Sequence, residues 1–191
     1  MEQRPSIRLQ SGNHWYFDDP FGSTFTIEDI AHNLSKEPRY NGSTDGDMAY
    51  TVGQHAVNAS YIVPPEFAFE ALHHDDAEAF YKDVTTWLKR LLPDYQRELK
   101  SGESAVAAFH GLPPEMSPEV KHGDLQMLKL EKLALFRNYE SDEGFEFLRD
   151  LDTSCVDRDR VDLTPWHPAV TKVIYLNRHK QLLEIRNGKA A

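Results

Sequence analysis

The chain is poor in cysteine, in basic residues and in long apolar runs, and each shortage closes off a class of protein. A single thiol, Cys155, among 191 residues rules out an internal disulfide. No stretch approaches the ~18 consecutive apolar residues that a membrane helix requires, so no membrane partner is expected. The amino terminus, MEQRPSIRLQSGNHW, has no apolar core of the kind a secretory signal carries. These features suit a reducing cytoplasm. Lys and Arg number 21 against 31 Asp and Glu, a formal net charge of −10 with a pI near 5.3. Such a balance argues against nucleic acid as a partner, because backbone binding neutralises phosphates with clustered cations. A phosphorylated small molecule remains open where local cations or a metal ion are present.

What is there reads as one helical domain spanning residues 1–191. Residues up to about 25 mix Gly, Pro, Asp and aromatics and suggest irregular or short extended structure. Thr26 with a carboxylate three residues on, Asp29, has the form of a capping box, and Ile27, Ile30, Ala31 and Leu34 then share a helical face. The stretch PRYNGSTDGDM reads as a loop. A helix over 51–61 follows, and one continuous helix is expected from Pro65 through PEFAFEALHHDDAEAFY. Pro93, the Ser117-Pro118 pair and the Thr164-Pro165 pair mark the starts of three more. No strand pair competes, so the expected class is all-α, a bundle of about seven to eight helices.

The string LHHDDAE, residues 72–78, carries the chemistry. On a continuous helix His74 and Glu78 are four residues apart and Asp75 and Glu78 three, which places an imidazole and two carboxylates on one side. Two readings compete: a solvated helix face, or a cluster whose desolvation a divalent cation offsets. His55 within an apolar helix, Asp124 early in the long helix that also carries Glu131, and Lys82 with Asp83 just beyond the string favour the second. Imidazole and carboxylate donors suit Zn, Mn, Fe, Co or Ni alike.

His55, then His74-Asp75 some nineteen residues on, then Asp124, together with SGNHWYFDDP, IEDIAHNLS, PRYNG, YTVGQHAV and VKHGDLQMLKLEKLAL, resemble the HD-domain metal-dependent phosphohydrolases over roughly residues 10–138. The likeness is to the small phage and bacterial members, which include 5′-deoxynucleotidases and the dATP triphosphohydrolases of phages that replace adenine with 2-aminoadenine. The resemblance implies that His55, His74, Asp75 and Asp124 bind a transition metal (Co, Mn, Zn or Fe), with Mg²⁺ as a second ion beside Glu78 or Asp83. It implies further that Glu78 orients or deprotonates the attacking water and that Asp83 stands beside the scissile phosphate. Arg39 and Tyr40 match residues that touch phosphate and nucleoside, and Lys82, Thr86 and Lys89 fall near further phosphate contacts. The implied activity is deoxynucleotide hydrolysis, with dATP giving deoxyadenosine and triphosphate, or with a deoxynucleoside monophosphate as the alternative substrate. A homo-oligomer, dimer or hexamer, is the implied assembly. His73 departs from many relatives and is read as packing, and Asp76 as solvent-facing. Trp15, Phe25 and Ile27 are candidates either for a base pocket or for core.

Overall fold

Trp15 anchors the N-terminal segment. Its ring lies flat on Phe80, with centroids 4.1 Å apart and planes 5° from parallel, and is fully buried. The computed structural model describes residues 4–138 and 143–188. Two short strands, β1 (Ser6–Arg8) and β2 (His14–Tyr16), pair antiparallel with Ile7 opposite Trp15. This hairpin is the one departure from an otherwise helical class among the described residues, and it is too short to have left an alternating pattern.

The all-α expectation holds. Helix α1 (Ile27–Leu34) opens with the foreseen box: Thr26 accepts from the Asp29 backbone N–H and Asp29 accepts from that of Thr26. Helix α2 (Val52–Ile62) is the central element, buried from Val52 through Ser60 and packed against α3, α7 and α8. Gln54 and Asn58 on α2 tie down the segment that leads into the last helix, through the carbonyls of Asp162 and Thr164 and the backbone N–H of Trp166.

The continuous helix expected from Pro65 breaks in the middle of the HHDDAE string. Helix α3 (Ala68–His73) stops, four residues follow as a turn, and α4 (Glu78–Tyr81) begins again. Across the break the backbone N–H groups of Asp76, Glu78 and Ala79 reach carbonyls three residues back instead of four. That tighter winding rotates successive side chains further apart than an α-helix would. It is why neighbours in this string face different surroundings.

A one-turn helix α5 (Thr86–Lys89) and the long α6 (Pro93–His110) follow; α6 ends on Gly111 in the left-handed conformation. Helix α7 (Pro118–Leu135) starts with Ser117 capping the Val120 N–H, as expected. A Cβ on its Gly123 would come within 2.5 Å of Val63, so glycine is what lets α7 approach the end of α2 and bring in Asp124. The last helix, α8 (Pro168–Gly188), begins three residues later than Thr164-Pro165 suggested, with His167 accepting from the Ala169 N–H. Those two residues belong to the segment that Gln54 pins. Among the described residues no helix is long and apolar enough to cross a membrane.

Candidate metal centre

Three separate elements deliver the cluster. His55 comes from the middle of α2, His74 and Asp75 from the break after α3, and Asp124 from the first turns of α7. One ligand atom each from His55, His74 and Asp124 lies within 4.8 Å of the others. His55 Nε2 is 3.1 Å from Asp124 Oδ1 and 3.4 Å from His74 Nε2. Asp75 Oδ2 stands 3.2 Å from His74 Nε2 and 3.8 Å from His55 Nε2. Donors held about 2.0–2.2 Å from one ion sit roughly 3–3.5 Å from each other, so the group could hold a metal ion.

Both imidazoles are oriented from behind. His55 Nδ1 donates to Glu131 Oε1 at 2.6 Å and His74 Nδ1 to the Ala71 carbonyl at 2.8 Å, which leaves both Nε2 lone pairs facing the cluster. Burial alone would lower the pKa of His74, but the charge of Asp75 and hydrogen bonds to Asp124 and Asp75 raise it well above the usual histidine range. Burial would likewise raise Asp124, yet its bonds to His55 and His74 hold it well below the carboxylate range.

Glu131 is the residue whose role the sequence did not reveal. Its carboxylate is fully buried, and besides His55 it accepts from Arg39 Nε at 3.0 Å and from the Tyr40 hydroxyl. Its place on the Asp124 face, two turns along α7, was the available signal. The 3₁₀ turn Arg39–Gly42 that brings Arg39 and Tyr40 to it contains two consecutive non-glycine residues in the left-handed region, Tyr40 (φ 57°) and Asn41 (φ 52°). Such backbone costs roughly 1–3 kcal/mol per residue, and the buried bonds to Glu131 hold it in place. Arg39 Nη1 also reaches to 3.6 Å from Asp75 Oδ2.

Glu78 and Asp83 flank the cluster. Burial drives the Glu78 carboxyl well above the carboxylate range and the charges of Asp75 and Asp83 push it the same way, against Lys89 and Arg39. Its Oε1 meets Lys89 Nζ at 3.3 Å, whereas its Oε2 is buried with no partner. A buried oxygen beside an imidazole–carboxylate cluster, with nothing to bond, fits a site completed by a cation and its water. Asp83 is also raised, chiefly by burial.

Of the cations expected at phosphate, Arg39 and Lys89 are at the site. Lys82 is two-thirds exposed and paired with Glu37 at 2.7 Å, and Thr86 opens α5 on the surface. Asp76 is not solvent-facing. It is fully buried, because the tight turn sends it inward, away from Asp75. Trp15 and Phe25 pack with Phe80 in the core. Beside His74 and Asp75 opens a cleft of about 150 Å³ whose lining mixes the carboxylates Glu70 and Glu103 with apolar residues such as Val106, Leu112 and Met116.

No family model matches the chain. It is 29% identical over 197 residues to an uncharacterized protein of Rhodobacter capsulatus, covering 95% of this chain and 97% of that one. It is 37% identical over 182 residues to the uncharacterized protein YfdR of Escherichia coli K12, covering 94% of this chain and 97% of YfdR. With that identity along almost the whole of both chains, this protein belongs to the YfdR family.

Proposed function

We propose that the protein is a metal-dependent phosphohydrolase of the HD type acting on deoxynucleotides. The observation that carries this reading is the meeting of His55, His74 and Asp124, with Asp75 Oδ2 3.2 Å from His74 Nε2, next to a buried, half-unpartnered Glu78. Charge supports it independently. Asp75, Glu78, Asp83, Asp124 and Glu131 crowd a region where Arg39 and Lys89 are the cations paired with them, so an anionic substrate would be repelled unless divalent ions entered with it. A transition metal such as Co²⁺, Mn²⁺, Zn²⁺ or Fe²⁺ in the His–Asp cluster, with Mg²⁺ beside Glu78 or Asp83, would neutralise phosphoryl oxygens and lower the pKa of water from 15.7 towards ~7.

The chain's own residues then divide the remaining work. Glu78, its pKa raised, is suited to take a proton from the attacking water through Oε2 while Lys89 tethers Oε1. Asp83, also raised by burial, is suited to hand a proton to the leaving oxygen. Arg39 and Lys89 hold non-bridging oxygens, and the apolar residues of the cleft receive base or sugar.

The resemblance places dATP, cleaved to deoxyadenosine and triphosphate, ahead of deoxynucleoside monophosphates. One feature favours the second reading: both cations at the site are already paired with carboxylates, a short supply for three phosphates. Purified protein incubated with deoxynucleoside mono- and triphosphates and Co²⁺, Mn²⁺ or Mg²⁺, with products resolved by anion exchange, tests both. Triphosphate release supports the first, orthophosphate release supports the second, and no turnover of any deoxynucleotide with any of the ions refutes the proposal.

A further inference from the structure

A second cluster of nitrogen donors meets at the same α3–α4 break, separate from the first. His73 from the end of α3, His110 from the last turn of α6 and His179 from α8 each offer one ring nitrogen, and the three lie within 4.8 Å of one another. His73 Nε2 is 3.0 Å from His179 Nδ1. The rings of His73 and His110 are stacked, with centroids 3.8 Å apart and planes 17° from parallel.

Asp76 organises this cluster. Its Oδ2 accepts from His73 Nδ1 at 2.8 Å and from His110 Nε2 at 2.7 Å, while its Oδ1 accepts from the Tyr175 hydroxyl. One buried carboxylate therefore fixes the tautomer of two histidines and leaves Nε2 of the first and Nδ1 of the second as lone-pair donors. A carboxylate behind a histidine, holding its other nitrogen, is the recurring support of a metal-ligating imidazole. Phe69 and Phe109 pack against the rings, giving the cluster an apolar shell. His73 and His110 are buried, while His179 is partly exposed.

Hydrogen bonding accounts for the pairing of His73 with His110 through Asp76 and for the His179–His73 bond. It does not require that a third imidazole, from a third helix, bring its nitrogen within 4.8 Å of the other two, with one pair at 3.0 Å against roughly 3.3 Å between the ligands of a tetrahedral ion. We propose that His73, His110 and His179 form a second metal site, a three-histidine site for a borderline-soft divalent cation such as Zn²⁺, Co²⁺ or Ni²⁺, oriented by Asp76 and left with a fourth position for water. The three-nitrogen donor set favours these ions over Mg²⁺ or Ca²⁺, which prefer oxygen. Its role is to clamp α3, α6 and α8 together next to His74 and Asp75 in the chain.

The test is metal stoichiometry, with no reference to activity. Chelator-stripped protein is dialysed against Zn²⁺ or Co²⁺ and the bound metal counted by plasma mass spectrometry, for wild type, His179→Ala, Asp124→Ala and the double variant. The deciding quantity is the difference between wild type and His179→Ala: one equivalent lost supports the site, and no loss overturns it. Asp124→Ala reports on the other cluster, so the two can fail separately. His179→Cys guards against misreading a folding defect. It should keep the equivalent and add a sulfur-to-cobalt charge-transfer absorption, and a cobalt spectrum unchanged from wild type overturns the proposal. Circular dichroism should show the same helix content in every variant.

Discussion

Glu131→Gln tests the logic of the candidate metal centre with the smallest change of volume. Two carboxylate oxygens serve three donors: Oε2 takes Arg39 Nε and the Tyr40 hydroxyl, and Oε1 takes His55 Nδ1. A carboxamide has one acceptor oxygen. If it stays with Arg39 and Tyr40, its NH₂ group faces His55 Nδ1 and forces the imidazole to carry its proton on Nε2. That proton then points at Asp124, 3.1 Å away, where a cation would need a lone pair. Supporting groups of this kind are worth about 10–100-fold in metal affinity. Stability should fall as well, because Arg39 is buried and loses its charged partner. Removing one partner from a buried pair costs about 3–5 kcal/mol, and the retained oxygen reduces this to roughly 2–4 kcal/mol. For a domain of this size that is a drop of about 5–15 °C in Tm. Isothermal titration with Mn²⁺ or Co²⁺ and thermal melts of the stripped protein supply the two readouts. An affinity within about twofold of wild type would show that His55 is not oriented through Glu131, whatever the melt shows.

Further expectations follow from other residues. Glu78→Gln should keep the metal yet slow turnover by about 10²-fold or more, the scale of general acid–base catalysis; an unchanged rate, measured with the substrate that the product panel identifies, removes Glu78 from proton transfer. Burial, the largest influence, depresses His73 to about 4 despite Asp76, so folding excludes a proton that the unfolded chain takes up near 6.5. Its share of stability, about 3 kcal/mol, is therefore present above pH 6.5 and lost as the pH falls towards 4. In the metal-free chain His55 and His74 are raised and act with the opposite sign, giving stability below the unfolded value that is lost as the pH rises. Urea melts of stripped wild type and His73→Leu across pH 4–7 separate the two, and equal slopes for both proteins would contradict the assignment to His73. Trp15→Ala should cost about 3–5 kcal/mol through the cavity it leaves, with KM unchanged; a rise in KM without loss of stability would put the ring in the substrate site instead.

Much of this was legible in the sequence. Side-chain caps at Thr26 and Ser117 and the proline at 93 announce helices through local chemistry, and those helices are where they were expected. The four candidate ligands were legible because each is a residue that needs a reason to sit in an apolar stretch. The break at residues 74–77 was not, since every residue of HHDDAE tolerates a helix and the tighter winding comes from what the side chains meet in three dimensions. Asp76 was misread for the same reason: its partners, His110 and Tyr175, are 34 and 99 residues away. The role of Glu131 was hidden because a glutamate on a helix is ordinary until its burial is known.

The winding of residues 73–76 has a bearing on how this chain can change over time. Consecutive side chains are divided between two sets of partners: His73 and Asp76 go to one cluster, His74 and Asp75 to the other. A deletion of one residue here would exchange the occupants of both clusters at once, so length in this tetrapeptide is locked even where identity is free. Relatives that have lost the histidines at 110 and 179 should be released from keeping His73 and Asp76 while still holding His74 and Asp75, which gives the two halves of one short motif separate histories.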